Sequence, residues 1–165
     1  MRLKEIVRSP KRIVGTQRGE PSNRVPKTAF PLSRNQSWRP GLGWDWWSAE
    51  FEASGQQCRL LVMLHEPKRI FRAWLGVQHG SELAVMARLE YEPCHPGQWH
   101  CHACCEDSRR VPWGVVKHPA SRKSVRLYMP RHRASFDVTR HNALATAMKF
   151  FGVSGEVPDV GLFNA

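Results

Sequence analysis

The sequence predicts an α+β fold, an antiparallel β-meander of five to six strands backed by one C-terminal helix. Three observations point there. From Trp44 to Cys105, apolar residues recur largely with a period of two, as half-buried strands require. The apolar runs are separated by turns containing Gly or Pro. After residue 140 the period changes to that of an amphipathic helix.

Residues 1–43 read as a basic, flexible N-terminal arm. They are rich in Pro, Gly, Ser and Arg and hold no sustained period. Pro10, Glu5 and Glu20 argue against an amphipathic helix, and "KRIV" is a candidate short strand or docking peptide. Residues 44–165 then form a single α+β domain. "WDWWSAEFEAS" sets Trp47, Ala49, Phe51 and Ala53 on one face of a strand, with Ser48, Glu50 and Glu52 on the other. "CRLLVMLH" is apolar on both faces, which predicts a strand covered on both sides. "RIFRAWLGVQ" points Phe71, Ala73, Leu75 and Val77 inward, and "LAVMARLEYE" does the same with Val85, Ala87, Leu89 and Tyr91.

The "HGS" turn between these two runs suggests a hairpin register. Val77 would pair with Leu83, Leu75 with Val85, Ala73 with Ala87, and Phe71 with Leu89. "WHCHACC" is the fifth strand and "KSVRLYMP" a sixth. The helix carries an apolar stripe at Leu144, Ala147, Met148 and Phe151. Asp137 or Thr139 would cap it and Gly152 would end it. Trp38, Trp44, Trp46 and Trp74 fall outside the inward sets; covering the sheet under the arm or the helix is their expected role, and stacking on bases beside arginines is the alternative.

The net charge is +11, and it sits in two blocks. Residues 1–40 carry ten Lys/Arg against Glu5 and Glu20, and residues 108–136 carry eight and no acid. Such blocks suit a polyanion, most simply nucleic acid, or an acidic protein partner. The expected contacts are Arg72, Arg88, Arg109, Arg110, Trp113, Lys117, His118, Arg122, Lys123, Arg126, Arg131 and Arg133. No recognition-helix motif appears, and a sheet face with loops suits single-stranded RNA better than a DNA major groove. The five cysteines cannot all pair within one chain. No apolar export core of roughly 7–15 residues precedes the arm, so a reducing cytoplasmic setting is expected. No run reaches the roughly 20 apolar residues of a spanning helix, so no membrane partner is expected.

The densest chemistry lies in "CHPGQWHCHACCED", residues 94–107. On a strand, Trp99, Cys101, Ala103 and Cys105 share the apolar face, and His100, His102 and Cys104 share the other. The preceding strand offers Arg88, Glu90 and Glu92 to that second face. An even register is required, so at least one histidine meets a glutamate. Three readings follow. His100, His102 and Glu90 can serve as general acid and base for metal-independent RNA cleavage, with the arginines holding phosphate, as in a toxin-like ribonuclease. This reading needs no cofactor. His100, His102 and Cys104 can instead bind zinc. The third reading is a polar face without chemistry. A non-enzymatic interaction or inhibitor module, using the basic arm and loop, is the alternative from a different functional class.

Overall fold

The computed structural model describes residues 1–19, 24–29, 37–94, 99–104, 106–111 and 135–154. These form an α+β fold dominated by antiparallel sheet. Its elements are α1 (Leu3–Arg8), β1 (Lys11–Gly19), β2 (Val25–Pro26), β3 (Ser37–Trp38), β4 (Asp45–Ala53), β5 (Gln56–His65), β6 (Ile70–His79), β7 (Glu82–Tyr91), β8 (Trp99–Ala103), a 3-10 turn (Ser108–Arg110) and α2 (Ala143–Phe150). The main sheet has the order β1-β4-β5-β6-β7-β8, and β2 pairs with β3 separately. Among the described residues, no helix is long and apolar enough to cross a membrane.

The alternation read from the sequence builds the core. Trp47, Ala49, Phe51 and Ala53 of β4, Cys58, Leu60, Val62 and Leu64 of β5, and Phe71, Ala73, Leu75 and Val77 of β6 all enter one cluster. Leu3 and Ile6 of α1 and Ala143, Leu144, Ala147 and Met148 of α2 join it, so both helices cover this face. β5 is covered on both sides, because Leu61 and Met63 enter a second cluster with Trp46, Trp74, Leu83 and Val85. Val25 and Ala29 close that cluster from outside, and Trp44 packs beside it. The tryptophans outside the inward set therefore do cover the second face, at Trp44, Trp46 and Trp74. Nothing is described of the Trp38 side chain.

Four sequence expectations need correction. First, residues 3–19 are not a flexible arm. Leu3 and Ile6 bury one side of α1, and β1 pairs with β4 along its length, Ile13 opposite Phe51. A bulge between Ile13 and Gly15 leaves Val14 exposed and breaks the period of two, which hides the strand in the sequence. Second, the β6–β7 register is displaced: Phe71 pairs with Tyr91, Ala73 with Leu89 and Leu75 with Ala87. Third, a bulge then leaves Met86 unpaired, since Gly76 faces Val85 and Val77 faces Ala84. Beyond it the faces exchange, so Val85 and Leu83 belong to the second cluster and Ala84 to the first. The cause is packing. Gly76 has no side chain, and Leu83 fills the space a methyl there would occupy.

The fourth correction concerns the cap of α2. Asn142 is the N-cap residue, and its Oδ1 accepts from the Thr139 backbone N–H at 2.8 Å, which reverses the direction expected of Thr139. The stop is as expected, with Gly152 at φ 64°. The sixth strand expected at 123–130 lies outside the described residues.

Candidate functional site

The β7–β8 register sets Glu90 opposite His100 and Arg88 opposite His102. It is one of the two even registers that the face assignment permits. Leu89, Tyr91, Trp99 and Ala103 turn to the main core, so their neighbours Arg88, Glu90, His100 and His102 share the second face. On β6, Phe71 and Ala73 turn inward and place Arg72 on the same face, opposite Glu90. Three strands thus bring five of the expected site residues together.

Glu90 is the hub. Its side chain is only 3% exposed, yet four cationic or potentially cationic groups reach its oxygens. Arg88 Nη2 donates to Oε2 at 2.8 Å. His100 Nε2 lies 3.2 Å and His102 Nε2 3.4 Å from the same oxygen. Arg72 Nε stands 3.4 Å from Oε1, and its Nη2 donates to Glu92 at 2.6 Å. The two imidazoles meet edge to face, 5.1 Å between ring centroids. Burial pushes the Glu90 carboxyl up. The His100 hydrogen bond and the charges of Arg88 and Arg72 outweigh it, and the net shift is downward. Glu90 is therefore ionised at neutral pH. Arg88 is held below the usual arginine value, first by burial, with Glu90 opposing.

The two histidines are not equivalent. His102 is 36% exposed against 22% for His100. His100 turns Nε2 to Glu90, and its Nδ1 is buried. His102 is thus the more solvent-accessible imidazole.

Glu90, His100 and His102 also place one donor atom each within 4.8 Å of one another, the spacing of a metal site. The charges around them oppose that use. Arg88 already holds the carboxylate oxygen that both imidazoles face, and Arg72 stands at the other. A divalent cation would meet two guanidinium groups at short range. Cys104, expected as a third zinc ligand, is buried in the main core. β8 ends at Ala103, so the alternation that would have turned Cys104 outward stops one residue short. Cys101 packs against the core as expected, and its thiol is pushed up to about 12, first by burial and then by the Glu90 charge.

Arg109 and Arg110 are not part of the cluster. They lie in the 3-10 turn and, with Arg2, Glu106 and Asp107, line a cavity of about 770 Å³. Trp113, Lys117, His118, Arg122, Lys123, Arg126, Arg131 and Arg133 lie outside the described residues, as does Cys105.

Two neighbours complete the site, of which Glu92 was expected on this face and Trp44 was not expected beside Arg72. Glu92 shares Arg72 with Glu90. Trp44 lies under Arg72, whose guanidinium carbon stands 5.4 Å from the ring centroid. The period-two position of Glu92, one residue past β7, was the signal for the first. Nothing local marks the second, because Trp44 precedes β4 and Arg72 is on β6. No family model, curated protein or solved structure matches this chain.

Proposed function

We propose that the protein engages RNA at the β6–β8 end of the second sheet face and cleaves it without a metal. One observation carries this reading: a buried carboxylate holds two imidazoles, one of them 36% exposed, beside two guanidinium groups. That set provides an acid–base group and cations for a phosphodiester in one place. The net charge of +11 supplies the long-range attraction.

In this reading neutral His102 takes the proton of a ribose 2′-hydroxyl. The 2′-oxygen bonds to phosphorus, the bond from phosphorus to the 5′-oxygen breaks, and that oxygen takes a proton from water. The products are a 2′,3′-cyclic phosphate and a free 5′-hydroxyl. The hydroxide left by that water takes the proton back from His102. Glu90 orients the imidazole and offsets the positive charge it gains, and His100 helps to hold that carboxylate in place. Arg72, 34% exposed, is the guanidinium with room for a phosphate oxygen.

A second reading has its own support. Glu90 is almost fully buried with both oxygens occupied, as in a cluster that only shapes a binding surface. RNA bound by such a protein stays intact. The two separate in one assay, incubation of labelled single-stranded RNA with the protein in EDTA. Cleavage that vanishes when the scissile ribose lacks its 2′-hydroxyl supports the enzyme. Salt-sensitive binding without cleavage supports the binding module.

A further inference from the structure

We infer that Trp44 is a base-stacking subsite, so that the preferred ligand is single-stranded rather than duplex nucleic acid. The inference rests on the RNA-engaging reading above and concerns how the same site takes its ligand. Trp44 is half-buried beside the second cluster. Its position is fixed on two sides. His65 meets the ring edge to face at 5.4 Å between centroids, and Arg72 lies over it. His65 is itself held closely by the preceding loop: Gly43, at φ 79°, approaches so near that a methyl there would press on the His65 imidazole.

One guanidinium therefore joins an aromatic ring to the Glu90 carboxylate. Arg72 stands over Trp44, 5.4 Å from the ring centroid, and pairs with Glu90 and Glu92. A base stacked on the indole would have its sugar and phosphate near Arg72, which also reaches the carboxylate that holds His102. Stacking on an aromatic ring requires an unstacked base, which a duplex does not offer. The contact is indifferent to base identity, since every base presents a π-face, so the expected preference is for strandedness and not for sequence.

The test compares wild-type protein, Trp44→Ala and Trp44→Phe for affinity toward a short single-stranded oligouridine and an abasic oligonucleotide of equal length. Circular dichroism and thermal melting confirm folding of each variant. The inference predicts that Trp44→Ala weakens oligouridine binding about 10- to 100-fold, that Trp44→Phe keeps most of the affinity, and that neither changes abasic binding. A matched duplex should bind wild type and Trp44→Ala alike. If Trp44→Ala binds oligouridine as wild type does while RNA is still cleaved, the subsite is wrong and the ribonuclease reading stands. If Trp44→Ala lowers affinity for the base-bearing and abasic strands equally, Trp44 is only scaffolding, and the subsite is again overturned. Base-dependent loss without any cleavage by wild type upholds the subsite and removes the enzymatic reading. Absence of RNA binding by wild type removes both.

Discussion

Glu90 and His100 face each other across β7 and β8, with His100 Nε2 3.2 Å from Glu90 Oε2, on a carboxylate that two arginines also hold. Replacing that charge should be costly. Glu90→Gln removes the carboxylate that Arg72 and Arg88 share on a packed sheet face. A loss of about 3 kcal/mol is expected in urea denaturation.

The same contacts give a pH signature. The folded Glu90 value lies below its ordinary 4.5, so the ionised carboxylate adds stability that is fully present above that ordinary value. The contribution disappears as pH falls through the lowered value. Wild type should therefore lose stability below about pH 4.5 more steeply than Glu90→Gln. Parallel curves for the two proteins would show that the carboxylate is not held as described.

Asp45 and Arg140 fasten the lead-in of α2 to the sheet. Arg140 Nε lies 2.7 Å from Asp45 Oδ2, with Asp45 1% and Arg140 46% exposed. Arg140→Met strands a buried carboxylate and should cost about 2 kcal/mol. Asp45→Asn in the same chain should recover part of that loss, which a double-mutant cycle by chemical denaturation would measure.

The β6–β7 bulge makes Gly76 irreplaceable. A methyl at this position overlaps the Leu83 side chain, and Gly76→Ala should destabilise by about 2 kcal/mol. Gly55 has the opposite character: its φ is 72° and nothing crowds it, so Gly55→Asn should be nearly neutral. Thermal melting of the two variants checks the contrast.

Much of this arrangement was legible in the sequence, and the reasons differ by element. The faces of β4 and β6 followed from alternation, because burial on one side imposes a period of two, and the unbroken apolar run of β5 marked a strand covered on both sides. Requiring like faces to pair predicted that a histidine meets a glutamate and left two registers open, of which the structure has Glu90 with His100 and Arg88 with His102. The bulges at Val14 and Met86 were not legible, because one inserted residue changes phase without changing composition. They concealed β1 as a strand and displaced the expected β6–β7 register. Cys104 was misplaced because a strand's last residue is set by its neighbours and not by its own pattern. The Trp44–Arg72 contact joins two elements with β4 and β5 lying between them in the chain, and no local period records it.

The proposed metal-free cleavage makes a simple demand. With two guanidinium groups on the Glu90 carboxylate, purified protein should hold less than about 0.2 zinc per chain, where a structural zinc site would survive purification. Chelator should leave the melting temperature unchanged. Stoichiometric zinc in elemental analysis would reverse the reading of the cluster.

The most direct measurement is the single-turnover rate of single-stranded RNA cleavage in EDTA by wild type, His102→Ala and His100→Ala. The account predicts that wild type cleaves and leaves 2′,3′-cyclic phosphate ends. Loss of His102 should slow the step by about 10²- to 10⁴-fold, and loss of His100 should slow it less. No cleavage by wild type, or a His102→Ala rate equal to it, would contradict the account.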